Sequence, residues 1–245
     1  MDKKVIVITG GTTGIGFACA EHLLEKGYEV VITGRSEKNL NEALKKLNYK
    51  ATGFLSDTSK LSDIDELVNL VKEKYTKIDG LFVNAGIFKS SSFETTMEEI
   101  FDETMNINFK GAYFTAQKFV PILKNPSSVV LNTSIVVFKA FADTSVYTAS
   151  KAAIESVAKV LNLELASKGI RVNIISPGVT ESPIQQKSGM SDDAIQNLLD
   201  HFSNTSPIGR IVKPKDIAPI LEFLVSDNSL VLRNEKIIID GGATM

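Results

Sequence analysis

Short runs of β-branched and aliphatic residues alternate along this chain with segments whose apolar positions recur every three or four residues. Val5-Ile6-Val7-Ile8 is the first run, apolar throughout, as in a strand buried on both faces. A helix-like segment follows to about residue 26. The pattern then predicts a strand over 29–33, a helix over 36–47, a third strand over 50–55 and a helix over 61–75. A fourth strand is expected over 78–83, one long aromatic-rich helix over 97–123 with Pro121 near its end, and a fifth strand over 129–131. Ile154, Val157, Ala158, Leu161 and Leu165 repeat at helical spacing on a helix beginning near Tyr147, with Gly169 as its stop after Lys168. A sixth strand over 170–175, a loop-and-helix insertion, a helix over 214–225 and a strand over 236–239 complete the series.

Repeated strand–helix units of this kind predict a doubly wound α/β fold: a parallel sheet of about seven strands with helices on both faces. No Pro/Gly/Ser linker, internal repeat or low-complexity block interrupts the series, so residues 1–245 read as one domain. In open α/β sheets ligands bind beyond the carboxyl ends of the strands. Four polar or glycine-rich stretches fall at those ends. The first is Thr9-Gly10-Gly11-Thr12-Thr13-Gly14-Ile15-Gly16, between the first strand and its helix. There Gly10 allows a tight turn, Gly14 the close approach of a pyrophosphate to a helix N-terminus, and Gly16 close packing of helix on strand. Asn84-Ala85-Gly86, Asn132-Thr133-Ser134 and Pro177-Gly178 close the fourth, fifth and sixth strands; proline is expected to end the last of these.

Tyr147 and Lys151 lie at i and i+4 on one helix, so the phenol and the ammonium share a face. A tyrosine of pKa about 10 needs about 4 kcal/mol of preferential phenolate stabilisation to titrate near neutrality. A cation about 5 Å away at an effective dielectric of about 20 supplies roughly 3 kcal/mol. The pair is a candidate general acid/base, with a second positive charge expected to complete the shift.

Composition narrows the setting. A net charge of −2 gives no reason to expect nucleic acid or an anionic membrane as partner. Lone Cys19 excludes an intrachain disulfide and reads as a small core residue. Met1-Asp2-Lys3-Lys4 runs straight into a strand rather than an export signal, and no apolar run reaches membrane-spanning length, so a cytoplasmic protein is expected. His22 and His201 have no ligand spacing around them and G-x-S-x-G is absent, so neither a metal site nor a Ser-His-Asp hydrolase is expected.

Taken together in this order, these motifs resemble the short-chain dehydrogenase/reductases in their shorter, single-domain, Rossmann-type branch. The glycine loop, with Thr12, Thr13 and Ile15, resembles the family's cofactor loop. Asp57 is similar to the acid that meets the adenine ring, and Asn84-Ala85-Gly86 to the segment behind the adenosine ribose. Asn108, Ser134, Tyr147 and Lys151 resemble the catalytic tetrad. Pro177-Gly178, with Val179 and Thr180 beyond it, and Asp240-Gly241-Gly242 also match the family's pattern. Val83 replaces a usual asparagine, which is expected to alter one strand-end hydrogen bond, and Asn234 stands where glycine is usual, in a turn expected to survive.

The resemblance implies hydride transfer between a nicotinamide and a carbonyl/alcohol carbon. It makes Tyr147 the acid/base, with Lys151 on the phenolate and the ribose. Ser134 would hold the carbonyl oxygen and Asn108 a water leading to solvent. It also implies a homo-oligomer, a tetramer, and the helix over 97–123 carries more apolar surface than one sheet-facing stripe needs. Residues 179–211 read as a substrate lid, with Ile184, Met190, Ile195, Leu198, Leu199 and Phe202 among polar residues, and Ile135-Val136-Val137-Phe138 as an apolar pocket wall. A ketone, a 3-oxoacyl thioester, a sugar and a steroid all fit this much.

NADP(H) is expected ahead of NAD(H), which is not excluded. NAD-specific relatives carry an acid at the end of the second strand, where this chain has Gly34, followed by Arg35 and Ser36. Thr13 stands where many NADP-dependent relatives have a basic residue. Two other readings keep the fold without the chemistry: a non-catalytic NADP-sensing regulator, and a scaffold assembling through its long helices.

Overall fold

The computed structural model describes residues 3–245; Met1-Asp2, part of the lead-in read above as no export signal, lies outside them. Among the described residues seven strands form the sheet: β1 (Val5–Ile8), β2 (Glu29–Gly34), β3 (Thr52–Leu55), β4 (Ile78–Val83), β5 (Leu123–Asn132), β6 (Ile170–Pro177) and β7 (Lys236–Ile239). All pair parallel, in the order β3-β2-β1-β4-β5-β6-β7. The order reverses direction between β1 and β4, the place where a doubly wound sheet opens a crevice at its carboxyl edge.

Eight α-helices among the same residues flank it: α1 (Gly14–Glu25), α2 (Glu37–Lys46), α3 (Leu61–Tyr75), α4 (Glu98–Met105), α5 (Ala112–Phe119), α6 (Ser145–Glu164), α7 (Asp192–Thr205) and α8 (Pro214–Val225). Alternation along the strands builds two cores. Val5 and Val7 join Leu67, Phe119 and Ile154 under α3, α5 and α6, while Ile6 and Ile8 join Leu23, Leu40 and Leu221 under α1, α2 and α8. Cys19 lies wholly inside the second core, where burial pushes its thiol well above the usual range, so it is inert packing.

Three elements differ from expectation. The long helix over 97–123 is broken into α4, a π-helical segment (Asn106–Gly111), α5 and a 3-10 turn at Pro121. At Gly111 the helix passes against the loop after β3, where a Cβ would meet the Thr58 carbonyl. β5 begins at Leu123 rather than residue 129, because its first half is polar and pairs at the lower edge, where Lys124 meets Asp79 at 2.9 Å. Pro177 does not end β6 early; it pairs with Ile239 as the last residue of the strand. Asn234 adopts φ 59, the left-handed turn expected of it.

Candidate active site

The glycine loop turns at Gly10 (φ +65) and Gly14 (φ +54), and both need the freedom of glycine. A Cβ on Gly16 would lie 2.4 Å from the Gly10 carbonyl and 2.7 Å from Asn84 Nδ2, so this glycine lets α1 close on the loop and on the end of β4 rather than on a strand face. Asn84 ties the rim together. Its Nδ2 donates to the Thr9 carbonyl at 2.9 Å and its Oδ1 accepts from Asn132 Nδ2 at 2.9 Å. Val83, where the resemblance led one to expect an asparagine, is buried in the core.

Tyr147 and Lys151 come from the first turns of α6, and Ser134 from the end of β5, into a cavity of about 470 Å³. Every residue expected at the cofactor lines that cavity except Gly16, which packs behind it; of the tetrad only Asn108 does not line it. Asn108 is fully buried in the π-helical segment. Its Oδ1 accepts from the Ile87 N–H at 2.8 Å, and its Nδ2 donates to the Ile87 carbonyl at 2.9 Å and Ser150 Oγ at 3.1 Å. The carboxamide is a strut on the loop after β4.

The electrostatics run against expectation. Burial pushes the Tyr147 phenol up to about 12, a hydrogen bond with Ser134 lowering it only in part. Burial brings the Lys151 ammonium down to about 8. Lys151 Nζ sits 5.7 Å from the Tyr147 ring centroid and donates to the Asn132 carbonyl at 3.0 Å. Desolvation is the leading cause in both groups, so the protein alone presents a protonated phenol beside a cation that is costly to bury.

The cavity walls are more aromatic than the sequence disclosed. Phe88 stands edge-on to Tyr147, and Phe141 meets Phe202 of α7 with ring centroids 5.8 Å apart. Ile184, Met190 and Leu198 add to the same wall, as does Val136. Phe138, expected there, turns away and is 40% exposed beneath Lys236 Nζ. Phe88 and Phe141 were missed because they sit in loops without periodicity; the position of Phe88 two residues past Asn84-Ala85-Gly86 was the available signal. The loops are knitted together: Ser90 N donates to the Ser188 carbonyl at 3.0 Å, and Ser91 N to that of Asp143 at 2.9 Å.

At the other end, the residues fit an anionic dinucleotide. The N-cap of α1, Thr13, makes no side-chain cap bond, and no acid lies in the first turn, so the first amides face the cavity rim without a competing anion. Arg35 is exposed on the same rim with no ion-pair partner among the described residues. Asp57 accepts from Ser59 through Oδ1, and Ser36 caps α2 by accepting from Asn39 N at 3.3 Å. No group of three candidate metal ligands, and no helix long and apolar enough to cross a membrane, occurs among the described residues.

A family model described as enoyl-(acyl carrier protein) reductase matches residues 10–244. The 3-oxoacyl-[acyl-carrier-protein] reductase FabG of Thermotoga maritima is 33% identical over 247 residues, covering 99% of this chain and 98% of that protein. The crystal structure of a 3-ketoacyl-(acyl-carrier-protein) reductase from Brucella melitensis complexed with NADH superposes with a TM-score of 0.91 at 28% identity, over 99% and 98% of the two chains. A variant of the actinorhodin polyketide ketoreductase with NADPH gives 0.90 at 26%, over 99% and 97%. The chain belongs to the short-chain dehydrogenase/reductase family, a family of oxidoreductases.

Proposed function

We propose that this protein is an NADP(H)-preferring oxidoreductase that interconverts a ketone of apolar body and its secondary alcohol. The observation that carries the reading is the convergence of Tyr147, Ser134 and Lys151 on a cavity that continues into the glycine loop. Gly10, Thr12, Thr13, Gly14 and Ile15 would hold the pyrophosphate. Asp57 and Asn84-Ala85-Gly86 would hold the adenosine, and Tyr147, Lys151 and residues 177–180 the nicotinamide end. The nicotinamide, when bound, supplies or accepts the hydride. The protein's own residues do the rest. Ser134 Oγ and the Tyr147 hydroxyl bind one carbonyl oxygen, and Tyr147 gives it a proton as negative charge develops there. The phenol is fully protonated at neutral pH, as a donor must be. Lys151 stabilises the phenolate left behind, and in oxidation the same proton returns to Tyr147. Asn108 acts by fixing the Ile87 peptide beside Gly86, where a Cβ would stand 3.1 Å from its Oδ1 and 3.4 Å from Lys151 Nζ.

The apolar substrate follows from how the wall uses its polar groups. Thr144 Oγ1 is engaged by the Phe141 carbonyl, Gln185 Nε2 by the Thr180 carbonyl, and Ser182 Oγ by Gln185. Ser90, Asp143 and Lys187 also line the cavity, but the rings of Phe88, Phe141 and Phe202 give it a wall that suits a hydrocarbon body. Residues 179–211 act as the lid, held by the Thr180–Val212 bridge. Arg35 and Ser36 favour the cofactor with a 2′-phosphate. The homotetramer reading rests on Phe101, Tyr113, Val160 and Leu163, exposed at 48%, 39%, 51% and 81% on α4, α5 and α6. A cytoplasmic setting rests on Cys19, a lone buried thiol.

NADPH consumption with a panel of an alicyclic ketone, a 3-oxoacyl thioester, a 2-enoyl thioester and a ketose tests the reading, with Tyr147→Phe as control. Carbonyl reduction that falls about 10²–10⁴-fold in Tyr147→Phe, while NADPH still binds, supports it. Cofactor binding without turnover of any carbonyl favours a regulator, and turnover of the enoyl thioester alone moves the chemistry to a C=C bond.

A further inference from the structure

Gly34 is the last residue of β2, about 20 residues beyond the glycine loop, where an acid reading a ribose 2′-hydroxyl belongs in a doubly wound fold. Its backbone does not require glycine: its φ is outside the left-handed region that the chain's other special glycines occupy. What crowds a side chain there is a single neighbour. A Cβ on Gly34 would lie 2.6 Å from Thr12 Cγ2 and 3.2 Å from Thr12 Oγ1, but 3.5 Å, an ordinary contact, from Thr12 Cβ.

Neither partner can withdraw easily. Gly34 is held from β3 by the Ser56 N–H on its carbonyl at 3.0 Å, and the loop is held to β2 by Gly11 N on the Thr33 carbonyl at 2.9 Å. Rotating Thr12 relieves the space only in part: a β-branched residue places two heavy atoms in three staggered positions, and the rotamer that turns hydrogen toward the closest position carries the methyl to the other, 3.2 Å from a Cβ on Gly34. That is still tighter than an ordinary contact.

We infer that Thr12 is a specificity-determining residue: its branched side chain crowds position 34 against a side chain, and so disfavours an acid that would select the unphosphorylated ribose. The inference rests on the NADP(H) reading for its meaning, but the contact itself is testable without cofactor. Cofactor choice is then set by a pair of positions, and changing Gly34 alone does not convert it. Thr12→Ala removes both offending atoms and leaves only the Cβ at its ordinary distance.

The first test is a thermal-stability cycle on the cofactor-free protein. Gly34→Ala lowers Tm by roughly 3–10 °C in the wild-type background, the range of an overpacked site in a chain of this size. In a Thr12→Ala background the same change leaves Tm unchanged or raises it, since alanine restricts the unfolded chain. An equal loss in both backgrounds overturns the inference. The second test compares kcat/KM for NADH and NADPH in wild type, Gly34→Asp and Thr12→Ala/Gly34→Asp. The double variant raises the NADH/NADPH ratio about 10- to 150-fold over the single, the range of one charge-assisted hydrogen bond. If Gly34→Asp alone reaches the ratio of the double, the inference fails. A single variant that does not fold, beside a double that does, is the crowding at full strength. A wild type preferring NADH overturns the Arg35 reading, while the stability cycle still decides the Thr12–Gly34 contact.

Discussion

Phe88 meets Tyr147 edge to face, their ring centroids 5.0 Å apart and their planes at 64°. Phe88 reaches that position because the preceding residue, Ile87, is held at both its N–H and its carbonyl by Asn108. A π-helical segment on one side of the sheet therefore reaches the phenol through one backbone residue and one ring. Tyr147 is half-buried at the cavity, and the same ring covers part of it, adding to the burial that raises its pKa.

Phe88→Ala is therefore expected to let more water reach Tyr147 and bring its pKa from about 12 back toward the usual 10. Reduction needs the protonated phenol, so activity is lost as pH rises through that pKa, and the alkaline limb of the reductive kcat profile moves to lower pH in the variant. Phe88→Leu, which keeps most of the apolar cover over the phenol, is expected to retain the wild-type limb. A profile identical in all three proteins would show that Phe88 does not act on the phenol.

Lys151 carries a stability cost from its burial. Its pKa falls from 10.5 in the unfolded chain to about 8 in the folded one. Between these values the unfolded state binds more protons, so wild-type stability rises with pH across that window; below 8 the cost is full and constant. Lys151→Met removes the charge at the loss of one bond to the Asn132 carbonyl. It is expected to be inactive yet to melt a few degrees higher at pH 7, the gain shrinking from pH 8 upward. Differential scanning fluorimetry between pH 7 and 10 checks this; a variant less stable than wild type throughout contradicts it.

Arg35→Ala is expected to lower the NADPH/NADH ratio of kcat/KM by roughly 10- to 150-fold, the worth of a hydrogen bond to a charged group. The loss should be in KM for NADPH and should diminish with added salt, because Arg35 is exposed. A preference unchanged in the variant would remove Arg35 from the phosphate site.

Leu163, 81% exposed on α6, lies with Val160 on the side of the helix away from Ile154 and Ala158. Light scattering at micromolar protein is expected to give a tetramer, and Leu163→Asp a smaller species. A wild type that scatters as a monomer refutes the assembly.

Much of this protein is legible in the chain because the decisive residues are neighbours in sequence. β-branched runs mark the strands, the glycine loop is contiguous, and Tyr147 and Lys151 share one helix face four residues apart. The left-handed turn at Asn234 could be expected because backbone sterics act on single residues. The rest depended on contacts between distant segments. The π-helical segment places Asn108 on Ile87, Gly111 lies against Thr58, and Thr12 faces Gly34 across the loop. Phe88, Phe141 and Phe202 come from three separate stretches and share no spacing. The Tyr147 phenol is raised where the Lys151 charge was expected to lower it, for the same reason. Sequence spacing sets which charges are close, but only the packed structure sets how much water is left around them, and here desolvation is the larger effect.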